Sequence, residues 1–394
     1  MRESSGAPGS QASLREANSA RILEAVKLYG QLTQVELAAA TGLSPATVSN
    51  IVKQLLAAGT VETSATTRSG RRAQLVTLAR VTSLALGIHI RPRALEMSLV
   101  DASYAQVARQ HLPLPPEHRF DTTLDRAAML AAELADQRGL AVGELVGIGV
   151  AMPSANRGGA VVGLPTWDDV DVADVIERRL HRPVLVERET DAAALAEARV
   201  GALRGAACGV YVRVGEVTDS AIVLGGAVLR PGSAPAAGLG HVRVAPDGAI
   251  CRCGARGCLN TVVSIEALRE LVRISHGSLS LRDIVAAANS GDRGCRQVVT
   301  DAGAAIGAAL ADLATTVGPD RIVVGGPLAQ AGDALLGPML DALGARPLLA
   351  DAGSLLVPGQ LGQEAETLGV VARVFDMMSL TSVLETSSGG EQRG

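Results

Sequence analysis

Aromatic side chains are nearly missing from this sequence: one Trp, three Tyr and two Phe stand among 394 residues. Single-stranded nucleic acids are held by stacking successive bases on such rings, so any nucleic-acid partner should be duplex. Cysteine is scarce as well, at five. No uninterrupted apolar run approaches the roughly 18 residues of a membrane span, and the polar opening stretch MRESSGAPGSQAS lacks the apolar centre of a secretion signal. The expected location is therefore the cytoplasm, where clustered cysteines bind metal or catalyse rather than form disulfides.

What is present is apolar residue in quantity, 47%, in a chain too long for one core, so two or three domains are expected. Charge is unevenly spread. Residues 1–80 hold nine Lys or Arg against five Asp or Glu, an excess of four positive charges, and the rest carries −8 of the total −4: a basic head on an acidic body. Residues 1–17 and 380–394 are Ser- and Gly-rich and are expected to be disordered tails. From Asn18 to Ala58 the apolar spacing is helical; from Leu84 onward strands are expected at LALGIHI, ALEMSLV, LVGIGVA, PVLVE, CGVYVRV, SAIVLGG and RIVVGG. Alanine-rich helices over Asp191–Val200 and Asp301–Val317 separate several of them. Strands grouped and then alternating with helices, twice over, predict two α/β lobes.

The segment TQVELAAATGLSPATVSNIVKQLLAAG opens with Thr33 and Glu36 at capping-box spacing, turns at Gly42, and starts again with Ser44 as N-cap before a proline. Two helices joined by a short turn result. The second places Val48, Ile51, Val52 and Leu55 inward and leaves Ala46, Thr47, Ser49, Asn50 and Lys53 outward, as a recognition helix in a major groove requires. After it, Val61–Glu62 and Gln74–Leu78 can pair as short strands around a tip bearing Arg68, Arg71 and Arg72, a wing for phosphate or a narrow minor groove. The expected DNA contacts are Thr33, Gln34, Ser44, Ala46, Thr47, Ser49, Asn50, Lys53, Arg68, Arg71 and Arg72.

Three of the five cysteines fall in GHVRVAPDGAICRCGARGCLN, where His241, Cys251, Cys253 and Cys258 are spaced H-x9-C-x-C-x4-C. Three thiolates and an imidazole fill a tetrahedron with no open position, so the expected metal is a structural zinc. Cys208 and Cys295 stand alone on apolar segments and are expected in cores.

This cysteine stretch resembles the zinc signature of the ROK family, which groups bacterial sugar kinases with repressors. The resemblance continues through residues 147–198 and 318–332 and covers essentially all of 18–380. It implies an α/β fold of two actin-like, ribonuclease-H-like lobes with a ligand cleft between them, preceded in the family's regulators by an α+β winged helix-turn-helix domain, and assembled as a dimer or tetramer. The expected boundaries are a head at 18–80, a first lobe at 81–190 completed by a helix at 363–379, and a second lobe with the zinc loop at 191–362.

Against that family the cleft departs. The phosphate-cradling Asp-x-Gly-Gly-Thr of the kinases is matched by His89, Ile90, Arg91, Pro92 and Arg93, which removes the glycines and one amide donor. The second phosphate loop reads Gly215, Glu216, Val217, Thr218, Asp219, and only the Gly325–Gly326 pair survives. Where the family uses Glu-Asn-Asp-Ala-Asn around the sugar, with the Asp as base, this chain has Glu187, Arg188, Glu189, Thr190 and Asp191; Gly163, Gly238 and Asn260 replace further sugar-contact residues. With Arg188 and Glu189 in place of the sugar-binding amide and carboxylate, and those three, five sugar-contact positions are altered. The candidate effector site is Arg188, Glu189, Gly163, Gly238 and His241, with two readings open: Arg188 meets an unusual, anionic effector, or it pairs with Glu189 and there is no effector.

The expectation is a non-enzymatic, DNA-binding transcriptional regulator, a repressor of carbohydrate metabolism by family resemblance, reading an inverted-repeat operator as a homodimer or tetramer. The rivals are a sugar kinase with an added head and a constitutive DNA-bound regulator with a vestigial cleft.

Overall fold

The computed structural model of the chain describes residues 18–19, 21–26, 29, 31–57, 61–68, 71–78, 84–115, 118–153, 164, 167, 170–230, 238–349 and 352–388. The expected N-terminal tail and Gly163 lie outside the described residues.

The head is a three-stranded sheet in the order β1 (Leu32–Thr33), β3 (Arg71–Leu78), β2 (Val61–Arg68), with helices Gln34–Thr41 and Pro45–Ala57 beside it. Its core is small and aliphatic: Ile22, Val26, Leu37, Val48, Ile51, Val52 and Val76. The wing is longer than expected. β2 and β3 pair without interruption from Val61↔Leu78 to Arg68↔Arg71, because Thr- and Ser-rich SATTR is a β-favouring run rather than the loop its polarity suggested.

The body repeats one sheet plan. The first sheet runs β6 (Gln106–Pro113), β5 (Ala94–Asp101), β4 (Leu84–Arg91), β7 (Ile148–Met152), β8 (Val184–Arg188); the second runs β11 (Ala227–Val228), β10 (Thr218–Leu224), β9 (Cys208–Val214), β12 (Arg321–Gly325), β13 (Leu356–Pro358). In each, the first three strands are antiparallel and the last two join in parallel. β6 and β13 were not expected: QVARQHLP is half polar and lies on an edge, and LVP is too short to carry a period.

Between the sheets lie two helices, Glu189–Val200 and Ala365–Ser388, packed on each other and joined by a core of Ala193, Ala194, Tyr211, Val371 and Phe375. Alanine on one helix lets the other come close. At Gly369 a Cβ would fall 1.7 Å from the carbonyl oxygen of Ala192, so only glycine fits that crossing. The C-terminal helix also packs on β4 and β7. It runs to Ser388 rather than ending at 379, correcting the expected tail: no glycine or proline interrupts SLTSVLETSS.

Helix Arg293–Val317 is long and apolar enough to cross a membrane by length and composition, although no run within it is uninterrupted. Here Ala302, Ile306, Leu310 and Ala314 are buried in the second lobe, and the helix packs along Asp333–Gly344. It begins at an Asp292 cap, eight residues before the expected start at Asp301.

Candidate functional site

In the head, the first helix is started by a complete capping box: the Thr33 hydroxyl accepts from Glu36 N at 3.3 Å while the Glu36 carboxylate accepts from Thr33 N at 2.8 Å. Thr33 is buried by this arrangement, which corrects its expected DNA contact to a structural role. Gly42 ends the helix at φ 68°, in the left-handed region. Ser44 Oγ then accepts from Thr47 N at 3.2 Å and opens Pro45–Ala57. Along that helix Val48, Ile51 and Val52 are buried, and Ser44 at its cap, Ala46, Ser49, Asn50 and Lys53 are exposed on the other side, with Thr47 half-buried; Gln34, at the start of the first helix, is half-buried as well. The backbone of Arg68 and Arg71 closes the wing hairpin, one register position beyond the Thr67↔Arg72 pair.

The cysteine stretch folds into a compact knot. Cys251 N donates to Ala255 O at 2.7 Å and Gly254 N to Cys251 O at 2.9 Å, a turn that needs Gly254 at φ 86°. One donor atom from each of His241, Cys251, Cys253 and Cys258 lies within 4.8 Å of the others, with Cys251 Sγ 3.6 Å from His241 Nδ1 and Cys253 Sγ 3.7 Å from Cys258 Sγ. This set can hold a metal ion. Burial, then the neighbouring thiols, push the Cys258 thiol up to about 12, while a backbone contact from Ala255 leads those that lower Cys253. Among the expected core cysteines, Cys295 is fully buried and Cys208 only half-buried.

The cleft holds two charged networks, and neither is the expected Arg188–Glu189 pair. Arg188 instead donates to Asp191 (Nη2 to Oδ1, 2.7 Å) and to Asp219 (Nη1 to Oδ2, 2.8 Å). The pairing is dictated by direction: Arg188 closes β8 and points across to β10, whereas Glu189 opens the buried helix and faces inward. Burial raises the Asp219 carboxyl, and Arg188 offsets only part of that. Asn260 holds the neighbouring turn, accepting from Thr218 N at 2.7 Å and donating to Thr218 O at 3.1 Å.

Glu189 belongs to the second network. Its Oε1 lies 2.9 Å from Arg213 Nη1 and its Oε2 2.9 Å from His89 Nε2, and Arg213 Nε donates to Glu366 at 2.9 Å. Burial would raise the Glu189 carboxyl, but Arg213 and His89 outweigh it and the value is lowered. Arg213 is held charged between the two carboxylates. Next to this network lies a cavity of about 250 Å³ lined by His89, Arg91, Glu96, Arg213, Gly325 and Glu366. Arg91 pairs with Glu96 on its wall. Of the five expected effector residues, Arg188 and Gly238 meet at Asp219, His241 sits in the knot, and Glu189 lies apart. Arg213 and Glu366 were missed by sequence reasoning; the signal was a lone arginine inside the apolar strand CGVYVRV, since buried arginine requires a partner.

The ROK family profile matches residues 85–376, and the MarR family profile matches residues 16–72. The DNA-binding transcriptional repressor Mlc of Escherichia coli is 25% identical over 395 aligned positions, covering 96% of this chain and 97% of Mlc. A ROK family transcriptional regulator described as a homologue of E. coli Mlc superposes with a TM-score of 0.74 at 23% identity, over 94% of this chain and 99% of its own. A ROK family glucokinase from Streptomyces griseus, solved with glucose and AMPPNP, gives a TM-score of 0.62 at 25% identity, over 75% of this chain and all of its own.

Proposed function

The chain belongs to the ROK family, and we propose that it is a DNA-binding transcriptional regulator, a repressor, that has lost phosphotransfer. The observation that carries this is the face of Pro45–Ala57 presenting Ser44, Ala46, Ser49, Asn50 and Lys53 away from the head's core. A helix of that face and length reads base edges from its N-terminal end, while wing arginines Arg68, Arg71 and Arg72 supply phosphate or minor-groove contacts. The near full-length relation to a repressor supports the same reading.

Phosphotransfer needs backbone donors around a triphosphate and a base free to take a proton. Pro92 removes a donor, Arg91 and Arg93 replace the small residues, and Glu189 is already committed to Arg213 and His89. The residues of the knot fit a structural zinc, and the chain is expected to act in the cytoplasm as a homodimer or tetramer. Two heads related by a dyad would read half-sites of an inverted repeat about 34 Å, or a multiple, apart.

The effector reading favours constitutive binding. Arg188, bonded to Asp191 and Asp219, fills the position where the family meets a neutral sugar. The decisive experiment is protection mapping of genomic DNA by the purified chain, with and without hexoses and their phosphates. Protected inverted repeats, unmoved by hexoses, are expected. A chain that retards no duplex of its genome, yet consumes ATP when given a hexose, overturns the proposal.

A further inference from the structure

The second network in the cleft joins two carboxylates, one guanidinium and one imidazole. Glu189 and Glu366 bring two carboxylates to one guanidinium, Arg213, which engages the Oε1 atom of each. The remaining oxygens both face His89. Glu189 Oε2 is 2.9 Å from Nε2, and Glu366 Oε2 is 4.0 Å from Nδ1. His89 is 1%, Glu189 3% and Glu366 4% exposed.

With Glu189 Oε2 accepting the Nε2 proton, the neutral ring presents its lone pair at Nδ1. That nitrogen is buried and has no hydrogen-bond partner, and His89 and Glu366 both line the cavity of about 250 Å³. The 4.0 Å between Nδ1 and Glu366 Oε2 is close to twice the roughly 2.0–2.2 Å at which imidazole and carboxylate bind a divalent transition metal. A carboxylate behind a histidine whose other nitrogen faces an open space is the arrangement by which proteins orient a metal-bound imidazole.

We propose that His89 and Glu366 form a divalent-cation site at the closed end of the cleft, separate from the cysteine knot, with Glu189 as the residue that positions His89. An imidazole with a carboxylate and water from the cavity suits a harder ion such as Mn²⁺, where the knot's three thiolates select the softer Zn²⁺. Arg213 repels the incoming charge, so the ion exchanges readily rather than staying as a permanent part of the fold. Binding draws Glu366 from Arg213, and because Glu366 stands on the C-terminal helix and Arg213 on β9, the cation competes for a contact between the central helix layer and the second sheet. The proposal does not depend on DNA binding.

The test is Mn²⁺ titration of the full-length, zinc-loaded chain followed by electron paramagnetic resonance. One Mn²⁺ per chain should bind with imidazole-nitrogen coupling in the pulsed spectrum. Glu366→Gln should abolish the bound signal, and Glu189→Gln should weaken binding roughly 10–100-fold, both with the zinc content unchanged. No bound Mn²⁺ at millimolar concentration, bound Mn²⁺ without nitrogen coupling, or binding indifferent to Glu366→Gln would each overturn it. Should the variants fail to fold by circular dichroism, the nitrogen coupling of the wild-type chain decides alone.

Discussion

Gly238 and Asp219 compete for one volume: a Cβ at position 238 would fall 1.4 Å from Asp219 Oδ1. The family resemblance puts a glutamate at 238, where this chain carries glycine. A small residue on the loop makes room for a carboxylate on β10, and that carboxylate holds Arg188 at 2.8 Å. Gly238→Glu should therefore expel Asp219 and leave Arg188 on Asp191 alone, at a cost of about 3 kcal/mol and a fall of several degrees in melting temperature. Adding Asp219→Gly should recover more than half of that loss. A double variant no more stable than the single one would show that the two positions are not coupled.

Acid should act on the buried network through Glu189. Its carboxyl is lowered from 4.5 by Arg213 and His89 against the opposing effect of burial. A lowered folded-state value means that the ionised group stabilises the fold above the unfolded value, near 4.5, and loses that contribution as pH falls through the folded one. Replacing one partner of a buried pair costs roughly 3–5 kcal/mol. The difference in stability between the wild-type chain and Glu189→Gln should be of that size at pH 7 and shrink steadily below pH 4.5. Denaturant titrations across pH 3–7 measure it; a difference independent of pH would mean that folding leaves the Glu189 carboxyl unshifted.

The legible parts of this protein were those in which neighbouring residues act together. Capping-box spacing, the Gly42 turn and the four ligands between His241 and Cys258 are local, so their geometry follows from spacing. The cleft was not legible, because its pairs join residues far apart: His89 to Glu189, Arg188 to Asp219, Arg213 to Glu366. Adjacency in sequence misled, since Arg188 and Glu189 straddle the strand-to-helix junction and their side chains diverge. Edge strands were lost for a different reason: β6 is exposed on alternate residues and carries Arg109, Gln110 and His111 in place of an apolar face.

The knot should be acid-labile before the fold is. Zinc requires deprotonated thiols, and Cys258, pushed up to about 12 by burial and its sulfur neighbours, must give up a proton when metal binds. Proton competition therefore lowers zinc affinity as pH falls. Zinc released to a chromogenic chelator should rise between pH 7 and 5, and Cys253→Ser should release it already at pH 7, with a loss of stability. One zinc per chain retained by Cys253→Ser at pH 5 would exclude the proposed ligand set.

Thr33, Asn50 and Lys53 separate stability from DNA recognition. Thr33 caps a helix from a buried position, so Thr33→Ala should cost about 1 kcal/mol of head stability and leave operator choice unchanged. Lys53 is exposed on the outer face of Pro45–Ala57. If it neutralises a phosphate, Lys53→Ala should weaken all duplexes alike and lower the slope of log affinity against log salt by about 1. Asn50 is exposed nearer the N-terminal half of that helix, where base edges are read. Asn50→Ala should leave the melting temperature and the salt slope as they are, and reduce discrimination between operator and non-operator DNA by about 1–3 kcal/mol. Binding isotherms at several salt concentrations read all three; equal losses on operator and random DNA for Asn50→Ala would remove it from base recognition.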